Sequence, residues 1–598
     1  MDGALRRRLA ALLAAALLGT ACGGAGGPPA GMPAGARDAA PPAPSARPED
    51  ASAPGDVVPE PATLHSLAVR WPVRGDANAN ASVAVEYRPA GETRWRAGYP
   101  LFRPHPERQS PELRVPGGWL FTGSIVDLTP DTEYEVRLAL RDPDGGDAER
   151  LLRLRTAAEP REPPGMRVRH VVPGEGGGSG SESEPFRGLA AAEAQAAPGD
   201  LFLLHAGVYR AAPWRVQRQG ARGRPIIYRG AGDGAAILDG GGGERVVSAQ
   251  GVRHVWLEDV TLRGALYLYV GHSGSDLVVR RVRFEVTRVG FEAINGGYTV
   301  SRGFFITDSV FTGPSTWPRS AGLESVNAIS VSGAGHEIAW NHIRGVADGV
   351  HGTGHGRLSA SDFHHNDIEQ CTDDGIEADY SDTNVRVFRN RITNCFSGVS
   401  AQPVNGGPLY VFRNAVLNVE YSPFKLHNDT GGVLLFHNTS VGAGPPFLVD
   451  PAGETVNDVV TRNNLFVGTT GPALWSTGRM IRCDFDRDGY AWETGPFALW
   501  NGRTYATAEA ARASGLLYRS LGAVRVAAPR LFASGLRPPR DFRVALPREA
   551  NDLRLTPGAP AAARGVALPN FSDGFAGAAP DLGCCEGGAP LPRYGPRR

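Results

Sequence analysis

Asparagine recurs along this chain at a nearly fixed interval. Asn341, Asn366, Asn390, Asn414 and Asn438 are separated by 25, 24, 24 and 24 residues, and Asn464 follows after 26. All but Asn438 stand in the form Asn-x-apolar: Asn341-His-Ile343, Asn366-Asp-Ile368, Asn390-Arg-Ile392, Asn414-Ala-Val416 and Asn464-Leu-Phe466. A fixed period in the twenties marks a solenoid, whose coils bury their apolar faces only against neighbouring coils. Asparagine suits the recurring position because it tolerates left-handed backbone at a bend and its amide can stack as a ladder. A leucine-rich repeat is excluded, since no Leu-x-x-Leu-x-Leu pattern is present. Weaker apolar alternation around Trp256, Val278 and Phe305 extends the stack toward the N-terminus, and the period is lost beyond Asn464.

The remaining segments differ in kind, as 598 residues lead one to expect. Arg6-Arg7-Arg8 followed by the short apolar run Leu9–Leu18 reads as an export signal, too short to span a bilayer. Gly19-Thr-Ala-Cys22 is similar to a lipoprotein cleavage box, so residues 1–22 are expected to be a signal and Cys22 a lipid anchor. The mature chain would then lie outside the cytoplasm, at the outer membrane or cell surface, with simple secretion as the alternative. Residues 23–61, rich in Ala, Pro and Gly, read as a disordered tether. Lys plus Arg and Asp plus Glu balance at 62 each, which gives a nucleic-acid role no electrostatic support. Nothing in the sequence calls for more than a monomer.

Residues 62–157 carry short alternating runs, Leu67–Trp71, Ser82–Tyr87 and Tyr134–Leu140, expected of half-buried antiparallel strands. Leu128-Thr-Pro-Asp-Thr-Glu-Tyr134 before the strand holding Val136 resembles the fibronectin type III signature. That resemblance implies a small β-sandwich with Trp71 in its core and a tyrosine pinning the sheets. Residues 168–480 are assigned to the solenoid, opened by an amphipathic helix over Phe186–Ala197 that caps the first coil. Residues 481–598 are assigned to a closing segment. Within it Asp484-Phe-Asp-Arg-Asp-Gly489 starts like a calcium loop, but the twelfth position is Gly495, which favours an acidic turn.

Aligning coils by the repeat places chemistry in columns. Asp348-Gly-Val-His351, Asp374-Gly-Ile-Glu377, Ser397-Gly-Val-Ser400 and Ser422-Pro-Phe-Lys425 fall in register. Val350, Ile376, Val399 and Phe424 are then inward, and His351, Glu377, Ser400 and Lys425 outward, because side chains alternate across a strand. Two residues on, Thr353, Asp379, Gln402 and His427 form a second outward column. Successive coils lie about 4.8 Å apart, which sets Glu377 and Lys425 about 10 Å apart with Ser400 between. Of the 62 basic side chains only Lys425 is Lys, and Lys, unlike Arg, can lose its proton in a suitable site. Polar solenoid faces are often merely solvated. This one gathers two His, two carboxylates and the single Lys, which makes it a site candidate.

The order of elements resembles secreted right-handed parallel β-helix proteins of the alginate lyase, chondroitinase B and pectate lyase-like group. The resemblance implies an all-β fold acting on an acidic, uronate-containing polysaccharide by β-elimination. Lys425 would be the base, His427 or Tyr380 the proton donor, and Glu377 with Asp379 the holders of a Ca2+ ion. His351, Ser400, Gln402 and Arg386 would bind substrate. No Arg stands on the coil where that family places its acid. Two alternatives remain. A polygalacturonase-like hydrolase is suggested by Asp373-Asp374 and Gly354-His355-Gly356, which occur in the wrong order. A non-catalytic glycan- or partner-binding surface protein needs no base at all.

Cys371 and Cys395, one coil apart, are expected to stack as a disulfide or as buried thiols. Cys584 and Cys585 do not bond readily to each other, so one of them is expected to reach Cys483.

Overall fold

The computed structural model describes residues 47–597, apart from 211–212, 295–300, 320–324, 355, 450–453, 515–523, 526–529 and 549–551. The expected signal, Cys22, the tether up to residue 46 and His355 lie outside the described residues.

Eight strands form the first unit: β1 (Ala53–Pro54), β2 (Val58–Pro59), β3 (Leu67–Arg74), β4 (Ser82–Pro89), β5 (Arg96–Gly98), β6 (Gly118–Ile125), β7 (Glu133–Arg141) and β8 (Ala148–Arg155). In one antiparallel sheet β3 pairs with β1, β2 and β6; the other runs β5-β4-β7-β8. Trp71 is fully buried between them and donates its indole N–H to Gly55 O at 2.9 Å. Tyr134 is buried, and its hydroxyl accepts from the Thr129 N–H at 2.9 Å, tying the turn back onto the strand. β1 and β2 fall inside the stretch expected to be a tether. They are held there by main-chain pairing with β3 (Ala53 opposite Arg74, Val58 opposite Arg70), which composition does not register.

From Arg167 the chain winds into a parallel β-helix of about 11 turns. A 15-stranded and a 20-stranded sheet make its long faces. The capping helix is shorter than expected, Leu189–Ala194, and buries Leu189 and Ala192. Its Glu193 accepts from the N–H groups of Gln217 (2.8 Å) and Arg218 (2.7 Å), fixing the helix over the first coil. Parallel pairing continues past residue 480, through Asp484–Phe485, Gly489–Ala491 and Ala498–Trp500.

The asparagine ladder is continuous. Each of Asn366, Asn390, Asn414, Asn438 and Asn464 accepts at Oδ1 from the backbone N–H and the Nδ2 of the preceding Asn, at 2.9–3.0 Å. It does not stop at Asn464. Asp488, one coil on, accepts the same two bonds at 2.8 Å, an acid in an amide's place that the asparagine pattern hides. The left-handed residue at each bend is not the Asn but the one before it: Trp340, His365, Arg389, Arg413, His437 and Asn463, with φ of 51–60°. The Asn is selected by the ladder alone.

The sandwich is docked against the 15-stranded face. Along that face Phe305, Glu337, Asp362, Arg386, Tyr410 and Leu434 are in register on successive coils. Glu337 accepts from Leu64 N–H at 3.0 Å, Asp362 accepts from Thr63 and Ser66 at 2.6 and 3.0 Å, and the Tyr410 hydroxyl accepts from Ser124 N–H at 3.0 Å. The final residues run back along the solenoid as a strap. Gly583 donates to Asn463 O (2.7 Å), Gly595 to His365 O (2.9 Å), and Arg597 pairs with Asp308 and Glu159 (both 2.6 Å).

Candidate functional site

The register drawn from the repeat is the register of the structure. His351 pairs with Glu377, Glu377 with Ser400, and Ser400 with Lys425, while Val350, Ile376, Val399 and Phe424 are buried in the core. These strands belong to one arm of the 20-stranded sheet. Its outer surface at this level is not a solvated strip. Ser400 is fully buried, Asp379 is 4% exposed and Glu377 9%.

What converges here is a knot of carboxylates around two cations. Lys425 Nζ donates to Asp374 Oδ2 at 2.5 Å. Asp374, fully buried, gives its own N–H to Asp348 Oδ1 at 3.1 Å. His351 Nδ1 pairs with Glu377 and stands 3.5 Å from Asp348 Oδ2. Asp379 Oδ1 accepts from Ser400 Oγ and from Gln402 N–H, both at 2.8 Å. Oxygens of Asp348, Asp373 and Asp374 lie within 4.8 Å of one another. Alternation predicts an inward Asp374. The chain bends just before this strand, and its carboxylate reaches Lys425 two coils away instead.

Burial and mutual repulsion set the protonation of the group. Burial, then the charges of Asp374 and Asp348, push Asp373 up to about 7. Burial, then Asp374, push Asp379 up to about 7 against the pull of Lys425 and Ser400. Glu377 is raised well above the carboxylate range by burial, then by Asp348 and Asp379, with His351 opposing. Burial would lower His351, but hydrogen bonds and charge from Asp348 and Glu377 carry it up to about 10. Burial would lower Lys425 too; Asp374 and Asp373 outweigh it and raise the ammonium above its ordinary value. A neutral Lys base needs the opposite shift. The environment required for that role, nearby positive charge or unopposed burial, is not what surrounds Lys425.

The other expected residues are distributed as follows. Arg386 does not line the site: it is fully buried on the 15-stranded face, paired with Asp362 and donating to Ser124 Oγ at 3.1 Å under the sandwich. The repeat gives its coil correctly but not its face. Tyr380 occupies a turn at φ 55° with its ring over Gly354, where a Cβ would meet it at 3.0 Å. His427 stands edge-on to Tyr421, ring centres 6.2 Å apart. Gln402 takes part through its backbone.

Glu377 and Asp379 do not form one set of cation donors, since Asp379 is committed to Ser400 and Gln402. Glu377 groups instead with Asp348 and His351, their donor atoms within 4.8 Å. Calcium takes about 6–8 oxygens. A set that includes an imidazole nitrogen beside only two carboxylates fits an all-oxygen ion poorly.

Three residues outside the two predicted columns complete the surroundings. Phe396 and Tyr421 stack in parallel on adjacent coils (5.4 Å, 8°), and the Arg319 guanidinium lies 4.8 Å from the Phe396 ring. Phe396 directly precedes Ser397 and Tyr421 directly precedes Ser422, so the same register held the signal. Arg319 sits in a loop, where no period reports position.

Fold and site together define a parallel β-helix protein with a buried acidic cluster on one long face. No family model and no curated protein matches the sequence. Among solved structures it is similar to the complex of XylC with xylose (14% identity over 51% of this chain and 76% of that one, TM-score 0.37). It is also similar to an alginate lyase from Paenibacillus sp. (15%, 45% and 92%, TM-score 0.30) and to a family 28 exopolygalacturonase from Yersinia enterocolitica (11%, 75% and 98%, TM-score 0.26).

Proposed function

We propose that this chain hydrolyses a glycosidic bond of an extended polysaccharide, using carboxylates rather than a Lys base. The observation that carries this is the triad Asp348, Asp373 and Asp374 with Lys425 paired to Asp374. Glycoside hydrolysis needs one carboxyl group protonated and another ionised at the same pH. Asp373, raised to about 7 and the least buried of the three, is suited to protonate the leaving oxygen. Asp374, its Oδ2 held by the Lys425 ammonium, is the neighbouring carboxyl that would stabilise positive charge developing at the sugar. His351 and Lys425 keep neighbouring carboxylates from repelling one another apart.

The substrate is inferred to be neutral. His351 and Lys425 are already paired with Glu377 and Asp374, so neither cation of the cluster is left to meet a substrate carboxylate. The stacked Phe396–Tyr421 pair beside Asp373 offers apolar area suited to a sugar face. An extracytoplasmic location, with Cys22 lipidated, agrees with a polymeric substrate and belongs to the same proposal.

The test is incubation of the protein with neutral polysaccharides (xylan, β-glucans, α-glucans) and uronate polymers (alginate, pectate), with and without calcium. Reducing ends and the ultraviolet absorbance of unsaturated uronates are followed in parallel. New reducing ends on a neutral polymer without absorbance, lost in Asp373→Asn, are expected. Calcium-dependent absorbance on a uronate polymer, lost in Lys425→Arg, would replace hydrolysis by elimination.

A further inference from the structure

Cys584 and Cys585 are adjacent in the chain, both buried (3% and 7% exposed), and their sulfurs meet at 3.2 Å. The backbone on either side leaves them little choice. Gly583, at φ +95°, passes so close to the solenoid that a Cβ there would lie 2.4 Å from Thr439 Oγ1 and 3.2 Å from Leu465 Cβ. The Cys584 N–H donates to Thr439 Oγ1 at 2.9 Å. On the far side Glu586 accepts from Asp581 N–H at 2.9 Å and from Arg413 at 3.3 Å. The two thiols are thus pinned face to face in an apolar cluster with Leu417, Val441, Leu465 and Leu582. The partner expected from sequence is elsewhere: Cys483 lies in the solenoid core and donates its thiol to Ile481 O at 3.4 Å. Cys371 and Cys395 stack one coil apart as free thiols.

We propose that Cys584 and Cys585 are a redox pair that closes into a vicinal disulfide and so sets how firmly the C-terminal strap is held. The oxidant is a small-molecule disulfide. The Cys584 thiolate attacks one of its sulfurs and expels a first thiol; the Cys585 thiolate then attacks Cys584 Sγ in the mixed disulfide and expels the second. One S–S bond forms in the protein, one breaks in the oxidant, and two electrons and two protons leave with the two small thiols. Cys584 is the apt attacker, because hydrogen bonding from Cys585, helped by Thr439 and Arg413, holds its thiol below the usual range. Adjacent Cα atoms are about 3.8 Å apart, below the about 4.4 Å lower limit of ordinary disulfides, so the ring is strained and easily reduced. Strained disulfides are the labile ones, which makes this pair responsive to ambient thiol rather than permanently locked. Its position gives the response a consequence: the ring sits between the Thr439 anchor and the strap leading to Arg597.

The full chain would be equilibrated with oxidised or reduced glutathione, denatured without reductant, alkylated and digested with trypsin. The oxidised sample should yield peptide 565–593 unalkylated and lighter by two hydrogens, gaining two alkyl groups only after reduction. Two free thiols, a glutathione adduct on both, or a link to Cys483 would overturn the pair. Hydrogen exchange of residues 586–597 is the second measurement. Exchange should differ between redox states in the wild type and be redox-insensitive in Cys585→Ser, whose fold is checked by exchange in the ladder coils. A disulfide that forms without changing strap exchange would overturn the lock.

Discussion

Replacing Asn390 by Ala cuts the ladder at its middle, and the cost follows from the bonds lost. The side chain is fully buried. Its Oδ1 accepts from Asn366 N–H and Nδ2, both at 3.0 Å, and its Nδ2 donates to Phe363 O at 2.8 Å and Asn414 Oδ1 at 3.0 Å. Asn414 Oδ1 keeps the Asn390 backbone N–H, and Asn366 Nδ2 keeps Ile338 O. The Asn366 N–H and one Asn366 Nδ2 hydrogen are left without partners, while Phe363 O loses its side-chain donor but stays in the strand ladder. An orphaned buried group costs about 1–3 kcal/mol, so with two of them Asn390→Ala is expected to cost about 2–6 kcal/mol. A domain's whole stability is about 5–15 kcal/mol. Asn366→Ala removes an equivalent set, but the double variant no longer contains the stranded Asn366 amide. Its loss should therefore fall short of the sum by about 1 kcal/mol. Guanidinium unfolding followed by circular dichroism, compared at constant m, measures all three variants. A single-variant loss below about 1 kcal/mol, or strict additivity, refutes the claim that the ladder amides satisfy one another.

Three further outcomes are expected. Arg386→Met strands the buried Asp362 carboxylate and should lower stability by about 3–5 kcal/mol in thermal unfolding, while leaving polysaccharide affinity of the folded protein unchanged. Asp488 is raised from 3.8 to about 7 by burial, so the unfolded chain binds fewer protons than the folded one across that span. Its contribution is full below pH 3.8 and is lost as pH rises through about 7; Asp488→Asn should flatten that fall in melting temperature. If Asp373 is the acid, turnover should decline as pH rises through about 7, and Asp373→Asn should abolish turnover with substrate binding retained.

The coil period was legible because one repeat is one coil: spacing alone put His351, Glu377, Ser400 and Lys425 in one column, and the strands pair that way. Alternation was legible for the same reason, as the buried Val350, Ile376, Val399 and Phe424 attest. Charge state was not. Lys425 looked like a base because it is the single Lys, but its protonation depends on Asp374, whose carboxylate leaves the alternation at a bend. Arg386 was misplaced because a period gives the coil and not which face a docked sandwich will cover. Asp488 escaped because the ladder selects for an acceptor oxygen, and an acid supplies one as well as an amide does.

The strap changes how such a molecule can come apart. Ladder contacts link residues 24–26 apart, whereas the strap's bond from Arg597 to Asp308 spans 289 and that to Glu159 spans 438. Neighbour-to-neighbour coils alone would fray from an end like a loosened spring. Here the last described residues lie across a coil midway along the stack and reach the segment ahead of the first coil, so the C-terminal coils are tied to earlier ones and do not unwind alone. Contacts of such long span form late in folding, and late contacts raise the barrier to unfolding more than they speed assembly. The durability this confers is a matter of time rather than of equilibrium: a protein slow to open even where its net stability is ordinary.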